Sequence, residues 1–482
     1  MNEQRNPFLT KLTTGVHNAL KQWHKNRQIP TIFAQLYLFR TLHRALGGDA
    51  GGKAKLALNQ LLLTAITQLQ EEHEQEARYL HLRFLDNIPM HRVTNQMNAA
   101  ESTLYALQRQ AIEQLAELIW SNEMEAVAMQ KAAMVERLEA ATYTALVGVE
   151  EHLDKLKQVL TVPEAPWLIS IEGMGGIGKT SLTDALLRRV IEEGWVDDIG
   201  WVSARRERLS WDGKINVEQQ PALTAAQLIE RLVEQLLPTH MGNPLECMVT
   251  ALHNRLHELP HIIVIDNLET LVDVETLLPT LQKLANPSKF VLTSRHRLYS
   301  MPNIYHFIVP ELSEAHALTL IRQEANLSNL PELAMAGEAA LKPIYATVGG
   351  NPLALRLVVG QAHILPLDLI LTDLGAARSD TTDHLYTYIY QQAWQRLNEL
   401  SRQVLLIMPL ASPMGEDIHY LAEIGAMAVD ELRLALNKLV TLNLVDARGG
   451  INERRYSIHG LTRTFLQEEV LHSLAWESGA IV

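Results

Sequence analysis

A glycine-rich segment that ends in lysine, threonine and serine is the first feature of the sequence with evident chemistry. The segment reads Gly173-Met174-Gly175-Gly176-Ile177-Gly178-Lys179-Thr180-Ser181. It follows an apolar run and opens an amphipathic stretch. Glycines let backbone N–H groups point at phosphate oxygens, and the amino terminus of the next helix favours negative charge. The pattern predicts a phosphate site in which Lys179 binds the β and γ oxygens and Thr180 ligates Mg²⁺.

A carboxylate suited to the same metal ion follows an apolar run about 85 residues further on. Asp266 directly follows residues 261–265, which read HIIVI. Ligands of open α/β sheets bind at the carboxyl ends of the strands, so we expect Asp266 to be the second Mg²⁺ partner. The next residue is Asn267, whose amide cannot accept a proton from an attacking water. Slow hydrolysis is expected, with Glu269 either as the catalytic base or as an ordinary solvated carboxylate.

A third apolar run, residues 289–292, ends in Thr293-Ser294-Arg295. A planar guanidinium suits phosphate oxygens, so Arg295 is a candidate reader of a γ-phosphate; a plain surface arginine is the alternative.

The elements that must position these residues are short apolar runs separated by amphipathic helical stretches, from about Trp167 to Pro310. Strands that alternate with helices predict a parallel α/β sheet covered on both faces. The first third of the chain has helical periodicity and almost no strand pattern. Beyond Pro310 the pattern is helical again, and residues 444–446 and 455–457 predict a small hairpin of winged-helix type.

These patterns predict a multidomain chain, with a P-loop α/β domain between all-α regions. Its expected domains are an all-helical domain at 1–144, a nucleotide-binding domain at 145–309, a helical domain at 310–378 and a winged-helix domain at 379–482.

Composition excludes several classes of protein. The chain has 482 residues, of which 47% are hydrophobic and 20% charged, so whole-chain disorder is excluded. A single cysteine, Cys247, cannot form an internal disulfide or a cysteine-rich metal site. No run approaches the roughly 18 apolar residues of a membrane span, and the first residues lack the apolar run of a signal peptide. We expect a soluble cytoplasmic protein with no membrane partner.

The net charge of −13 is unevenly distributed along the chain. Residues 1–144 carry 15 basic and 14 acidic side chains, whereas residues 145–482 carry 27 and 41. The first 50 residues contain seven basic and two acidic side chains. Only that end is expected to attract a polyanion strongly.

Residues 77–119 have the spacing of a helix-turn-helix. Helices are predicted at 77–85, 90–97 and 102–119. The predicted packing residues are Val93, Met97, Leu104, Leu107 and Ile112. The predicted outward residues are Thr103, Tyr105, Gln108 and Arg109. Residues 76–120 contain four Arg and five acidic residues, so phosphate attraction is weak, and both DNA binding and protein contact stay open.

The order of the motifs resembles the NB-ARC branch of the STAND nucleotide-switch ATPases across roughly residues 145–470. The resemblance rests on the glycine loop, the Asp266-Asn267 strand end, Thr293-Ser294-Arg295 and Gly350-Asn351-Pro352-Leu353. It implies that the backbone of Val147, Gly148 and Val149 holds adenine, with Val149 at the family's usual Arg position. It implies that Pro352 packs on the base and that His459 bonds the β-phosphate of ADP. Gly460 stands where the family has Asp, which weakens the expected closed state.

The resemblance also implies a function. ADP holds the domains closed, and exchange for ATP with Mg²⁺ opens them to a self-associating form, with the N-terminal helices as output or adaptor. The sequence ends 22 residues after Gly460, where relatives usually continue into sensor repeats. Sensing is therefore expected from another chain, such as a separate sensor or effector protein, from the helical first third, or from a part outside these 482 residues. The alternatives are an ATP-gated transcription regulator that binds DNA through the helix-turn-helix, and an AAA+ motor with fast turnover.

Overall fold

The structure, a computed structural model, describes most of the chain. The described residues are 7–25, 29–47, 52–139, 141, 143, 145–204, 223–268, 271–295, 298, 303–376, 393–394, 397–412, 415–442, 444–449, 453–458, 462–463 and 466. The chain divides into two compact units, Met1–Ala133 and Met134–Val482.

The first unit is helical throughout its described residues, as the sequence predicts. Its helices are α1 (Pro7–Lys21), α2 (Tyr37–Ala45), α3 (Lys53–Glu72), α4 (Glu74–Leu80), a π-helical turn at His81–Leu85, α5 (Met90–Met97) and α6 (Glu101–Glu136). Apolar residues at helical spacing, such as Leu12, Val16 and Leu20 of α1, are buried in a common core. These periodic faces explain why the segment folds as packed helices.

The predicted packing residues of α5 and α6 lie as expected. Val93, Leu104 and Ile112 are buried, and Met97 and Leu107 are partly buried against the same core.

Two expectations for these helices were wrong. Helix α6 continues to Glu136, well beyond the predicted end at residue 119, because its helical periodicity has no strong breaker before that point. Gln108 does not face outward: its Oε1 accepts a hydrogen bond of 2.8 Å from the hydroxyl of buried Tyr79. Thr103, Tyr105 and Arg109 are exposed as predicted.

The second unit contains the predicted parallel sheet. Its strands are β1 (Leu168–Glu172), β2 (Asp198–Ser203), β3 (His261–Leu268), β4 (Lys289–Ser294) and β5 (Ile304–Ile308). They lie in the order β2-β3-β4-β1-β5, and every pair is parallel. All five residues of β1 are buried, including the polar Ser170 and Glu172, as expected of a central parallel strand covered on both faces. The α/β fold class is confirmed.

Helices flank the strands in sequence. They are α7 (Glu150–Thr161), α8 (Lys179–Glu193), α9 (Ala225–Leu236), α10 (Leu245–Glu258) and α11 (Leu271–Leu284). Two apolar clusters fill the space between strands and helices, one with α9, α10 and α11, the other with α7 and α8. The carboxyl ends of the strands therefore remain the edge from which loops project.

Helices follow β5 and share one apolar cluster. They are α12 (Glu314–Leu327), α13 (Pro331–Ala334), α14 (Glu338–Val348), α15 (Pro352–Gln361) and α16 (Leu367–Ala376), then helices at Glu399–Ile407, Ile418–Gly425 and Val429–Thr441. Antiparallel strands β6 (Asp446–Arg448) and β7 (Arg455–Ser457) come last. The hairpin lies where the sequence predicts it, with its first strand shifted by two residues.

Among the helices in the described part of the chain, none is both long and apolar enough to span a lipid bilayer.

Candidate functional site

The glycine loop lies between β1 and α8, as the sequence predicts. Gly178 precedes the first residue of α8 and has φ +96°, and Gly176 has φ +72°. Both values lie in the left-handed region, which side chains with a Cβ rarely adopt. Ile177 is buried, and Ser181 lies in the first turn of α8. The loop is a tight strand-to-helix turn whose backbone is shaped for an anion at the helix amino terminus.

Lys179 folds back over the loop that it follows. Its Nζ donates hydrogen bonds of 2.7 Å to the carbonyl oxygen of Gly173 and 2.9 Å to that of Met174. These contacts hold the ammonium group over the loop instead of letting it extend into solvent. A cation in this place complements phosphate charge.

Asp266 is bonded by two hydroxyl groups, one from the loop motif and one from β4. Its Oδ1 accepts hydrogen bonds from Thr180 Oγ1 at 2.8 Å and from Thr293 Oγ1 at 2.6 Å. Asp266 is fully buried, and the backbone N–H of Asn267 donates to Thr293 Oγ1 at 2.8 Å. A hydroxyl and a carboxylate oxygen are the hard ligands that Mg²⁺ prefers, so Thr180 and Asp266 fit the predicted metal. Thr293 was quoted in the sequence motif but was given no role.

Arg295 follows the strand beside β1. Ser294 pairs with Glu172, and the N–H of Gly173 donates to the carbonyl of Ser294 at 3.3 Å. Arg295 therefore comes one residue after a backbone contact with the first glycine of the loop, and its contact with a γ-phosphate stays a prediction. Glu269, the candidate base, lies outside the described residues.

The Asn351-Pro352 motif contacts the loop directly. Pro352 is the first residue of α15, and Asn351 is its N-cap, with a side chain 1% exposed. Asn351 Nδ2 donates a 3.0 Å hydrogen bond to the carbonyl oxygen of Gly175. The sequence motif predicted a contact for Pro352 and none for Asn351. An Asn before Pro at a helix start is the signal for a capping side chain, but it does not reveal the second partner.

The predicted adenine segment, Val147 to Val149, lies beside the start of α12. Gly148 has φ +69°, and the place that a Cβ would occupy there is only 2.3 Å from Nδ1 of His316. Val147 packs against the helical cluster and Val149 against the α/β cluster. His316 is a neighbour of this segment that the sequence gave no reason to select.

A buried carboxylate lies directly before the loop. Glu172 is fully buried, and its Oε1 is 2.7 Å from His306 Nδ1 and accepts the backbone N–H of Leu298 at 3.2 Å. These bonds tie β1, β5 and the segment after β4 together under the first glycine. The local sequence pattern gave no reason to select this carboxylate.

The middle of α8 is held by a second buried carboxylate. Asp184 Oδ2 accepts hydrogen bonds from the Tyr143 hydroxyl at 2.6 Å and from Arg188 Nε at 2.8 Å. Burial, together with this hydrogen bond to Asp184, raises the pKa of Tyr143 well above its usual value. The hydrogen bond to Asp184 likewise raises the pKa of Arg188. Helix α8 is therefore anchored along its length as well as at its first turn.

The structure brings together most of the predicted phosphate and metal residues. Lys179, Thr180 and Asp266 meet around the loop, and Asn351 and Pro352 approach it from α15. His459 and Gly460 lie outside the described residues, so the predicted β-phosphate contact stays a prediction.

Comparison with known families agrees with this arrangement. The family model described as "NB-ARC domain" matches residues 149–330, the stretch that holds the glycine loop, Asp266 and Arg295.

Individual relatives are distant. A WD repeat-containing protein of Nostoc sp., described as uncharacterized, is 23% identical over 286 residues, 55% of this chain and 22% of the relative. The probable disease resistance RPP8-like protein 4 of Arabidopsis thaliana is 26% identical over 262 residues, 50% of this chain and 26% of the relative. This chain thus spans about a quarter of the length of these two relatives.

A solved structure of a STAND protein with a tetratricopeptide repeat sensor, from Pyrococcus horikoshii, is 17% identical with a TM-score of 0.45, covering 69% of this chain and 44% of that one. The family match and the disease-resistance relative agree with the motif order read from the sequence. Residues 149–330 of the chain therefore match the NB-ARC domain family, in line with the order of the sequence motifs.

Proposed function

We propose that this chain is a signalling switch controlled by ADP and ATP, which self-associates when ATP replaces ADP. The N-terminal helices, residues 1–144, act as its output or adaptor. The helical domain at 310–378 and a winged-helix domain at 379–482 close over the nucleotide in the ADP state. The protein works in the cytoplasm with a separate sensor or effector protein.

The observation that supports this proposal most directly is the contact between Asn351 and Gly175. The phosphate loop is built by the sheet domain, yet a side chain at the start of α15 binds its backbone. A change of loop geometry on nucleotide binding would therefore act directly on α15, a helix outside the sheet. A switch needs such a link, whereas a simple nucleotide-binding domain does not.

The residues around the loop have distinct roles in the proposed site. The loop N–H groups and Lys179 hold the phosphates, Thr180 and Asp266 hold Mg²⁺, and Arg295 distinguishes ATP from ADP. When bound, Mg²⁺ neutralises phosphate charge. Residues 147–149 and Pro352 hold the base.

His459 is proposed to bind the β-phosphate of ADP, but it cannot hold the closed state alone. One charge-assisted hydrogen bond contributes about 1.5–3 kcal/mol. Moving a two-state equilibrium from 1:99 to 99:1 takes roughly 5.5 kcal/mol. Domain interfaces must supply the difference, so closure is a property of several domains.

Slow ATP hydrolysis is part of the proposal. Asn267 follows Asp266 at the end of the strand and offers no carboxylate for the attacking water. Glu269 is the remaining candidate base. A slow ATPase suits a switch, because the ATP state must last long enough for assembly, and a turnover of many ATP per second would favour the motor alternative.

The decisive experiment identifies the nucleotide retained after purification and measures particle mass by light scattering before and after ATP with Mg²⁺. The expected result is retained ADP, a monomer before ATP and a larger particle after it. Lys179→Ala is the control and should stay monomeric without bound nucleotide. A wild-type protein that binds ATP and remains monomeric at micromolar concentration would contradict the switch, while the nucleotide site would stand.

A second experiment tests the closed state. His459→Ala should release ADP faster and assemble at lower ATP concentration, because one contact to the diphosphate is lost. Retention of ADP equal to that of the wild type, with no change in particle mass, would show that His459 has no part in closure.

The alternative function is an ATP-gated transcription regulator. It is favoured by the exposure of Thr103, Tyr105 and Arg109 on one stretch of α6, preceded by α5. In a DNA reader such residues face base edges in the major groove. Duplex DNA binding that weakens steeply between about 50 and 200 mM salt would support it, and no binding at 50 mM salt would exclude it.

A further inference from the structure

The buried side-chain amide of Asn351 both accepts and donates hydrogen bonds. Its Oδ1 accepts the backbone N–H groups of Leu353 at 3.0 Å and Ala354 at 3.4 Å, which caps α15. Its Nδ2 donates to the carbonyl oxygen of Gly175 at 3.0 Å. Asp has the acceptor without the donor, and Ser is too short to reach both partners. The side chain therefore serves the helix and the phosphate loop at once.

The bond to Gly175 also fixes the direction of the next N–H group. The peptide bond between Gly175 and Gly176 is trans, since the cis bonds among the described residues are at Pro166 and Pro287. In a planar trans peptide the C=O and the following N–H point in opposite directions. With the Gly175 carbonyl turned toward Asn351, the N–H of Gly176 points away from α15. Asn351 thereby orients one of the donors that a phosphate loop offers.

Close packing supports the same contact. A Cβ on Gly176 would lie 2.7 Å from Leu353 Cβ and 3.1 Å from Asn351 Oδ1. The loop backbone therefore rests against the first turn of α15, and rotation of the Gly175–Gly176 peptide would also disturb this packing.

The backbone directly before Asn351 is itself held in place. The N–H of Leu312 donates to the Gly350 carbonyl at 2.9 Å, and the N–H of Gly350 donates to Glu311 Oε2 at 3.0 Å. A Cβ on Gly350 would lie 2.1 Å from the carbonyl oxygen of Leu312. Residues 311–312 follow β5 closely, so Asn351 is held relative to the sheet edge before any ligand arrives.

We infer that Asn351 is a positioning residue for phosphate binding: it orients the Gly175–Gly176 peptide so that the loop is arranged for the diphosphate in advance. The inference rests on the proposed nucleotide function and adds a residue that acts through the loop without touching the nucleotide. It also identifies the bond through which loop geometry and the position of α15 are coupled.

Three variants of the 482-residue chain separate the capping role of Asn351 from its positioning role. Asn351→Ser and Asn351→Asp both keep an oxygen that caps α15 but lose the donor to Gly175, whereas Asn351→Ala loses both. Nucleotide is removed first, and ADP affinity is then measured by calorimetry beside the melting temperature without nucleotide. Asn351→Ser is the main variant, because Asp also adds a negative charge near the phosphates.

We expect Asn351→Ser to bind ADP about tenfold more weakly than the wild type, with a melting temperature within about 2 °C of it. Asn351→Asp should bind at least as weakly, and Asn351→Ala should lose melting temperature as well as affinity. In hydrogen exchange, ADP should protect the peptide that contains residues 173–178 less in the Ser variant than in the wild type.

The outcomes distinguish this inference from the proposed function. If Lys179→Ala loses ADP while Asn351→Ser binds it within twofold of the wild type, the nucleotide site stands and the positioning role is wrong. If Asn351→Ala loses melting temperature while both Asn351→Ala and Asn351→Ser keep the wild-type affinity for ADP, Asn351 is only a helix cap. If neither the wild type nor any variant binds ADP, the proposed function itself fails.

Discussion

The two ends of the parallel sheet both bury charged side chains, but they differ in what those side chains contact. At the carboxyl end, Asp266 accepts hydrogen bonds from Thr180 and Thr293, and Lys179 bonds the carbonyls of Gly173 and Met174. These groups lie around the glycine-rich turn that precedes α8. Their shared neighbour is a loop shaped for an anion.

At the amino end the buried charges contact fixed structural groups instead. Lys289 is 4% exposed; its Nζ donates to the carbonyl of Val159 at 2.8 Å and lies 5.6 Å from the centre of the Trp167 ring. Burial lowers the pKa of Lys289 to about 8. His261 Nδ1 is 2.8 Å from the carbonyl of Leu259, and burial lowers the pKa of this histidine too.

The contrast shows that a buried charge with a shifted pKa does not by itself mark a functional site. Lys289 has a lowered pKa, yet its partners are a helix-end carbonyl and an aromatic face. Lys179 instead donates to carbonyl oxygens within the glycine loop, and the N–H groups of such a loop are the donors that a phosphate would use. We therefore expect substitution of Lys179 to weaken nucleotide binding and substitution of Lys289 to leave it unchanged.

The largest effect is expected for Lys179→Ala. Loss of the ammonium group over the loop should weaken ADP binding about 100-fold, since charge-assisted contacts with phosphate are strong. Calorimetry with nucleotide-free protein measures the change. Lys289→Met is the matched control and should bind ADP within twofold of the wild type; equal losses in both variants would remove the distinction between the two ends.

Asp266→Asn should have the next largest effect, and it should appear only with Mg²⁺. The amide keeps an oxygen that accepts from Thr180 and Thr293 but loses the charge that favours a divalent cation. The gain in ATP affinity that Mg²⁺ provides should shrink about 30-fold, with ADP affinity in chelator unchanged. Titrations with Mg²⁺ and with chelator check this, and an equal loss in both would instead mean a collapsed loop.

The sequence predicted the fold more completely than the site. Residues 173–181 and Asp266 were identified because their types and spacing report local chemistry, and the strands were identified because each is a short apolar run between helices. Thr293 and Glu172 were missed because their roles depend on which strands become neighbours, and the order β2-β3-β4-β1-β5 is not written in local periodicity.

Asn351 shows a different limit of sequence reasoning. Its capping role follows from the Pro after it, whereas its bond to Gly175 joins residues 176 positions apart. The prediction for Gln108 was wrong for a similar reason. Helical spacing placed this residue on the outward face, whereas tertiary packing gave its amide a partner in Tyr79. Local patterns fix which groups are present, and long-range packing decides which groups they bind.

The third prediction concerns stability at the amino end. Because burial lowers the pKa of Lys289 from 10.5 to about 8, the unfolded chain binds more protons than the folded one between those pH values. This lysine therefore makes the free energy of unfolding rise as pH increases from about 8 to 10.5.

Lys289→Met should abolish that contribution. From pH 7.5 to pH 10 the unfolding free energy of the wild type should rise by about 1–2 kcal/mol more than that of the variant. Urea denaturation at a series of pH values measures the difference. Parallel curves for the two proteins would show that Lys289 keeps an ordinary pKa and that the amino end differs less from a solvated surface than its burial indicates.

The smallest effect tests a buried carboxylate that belongs to neither end of the sheet. Tyr143→Phe removes the hydroxyl that donates to Asp184 in the middle of α8, and should cost about 1 kcal/mol of stability at pH 7 with ADP affinity unchanged. Because burial and this hydrogen bond raise the pKa of Tyr143, the folded wild type holds its phenolic proton while the unfolded chain loses it above pH 10. The stabilisation should therefore fade as pH rises past 10, and the two proteins should converge there.

Tyr105→Phe is the matched control, since it removes an exposed hydroxyl that donates to Glu101 at 3.3 Å. An exposed pair of this kind contributes little, so its melting curve should overlay that of the wild type at every pH. If Tyr143→Phe instead weakened ADP binding tenfold without a change in melting temperature, the anchoring of α8 would belong to the nucleotide site. The separation between ligand-directed and structural charges would then have to be drawn along α8 rather than between the two ends of the sheet.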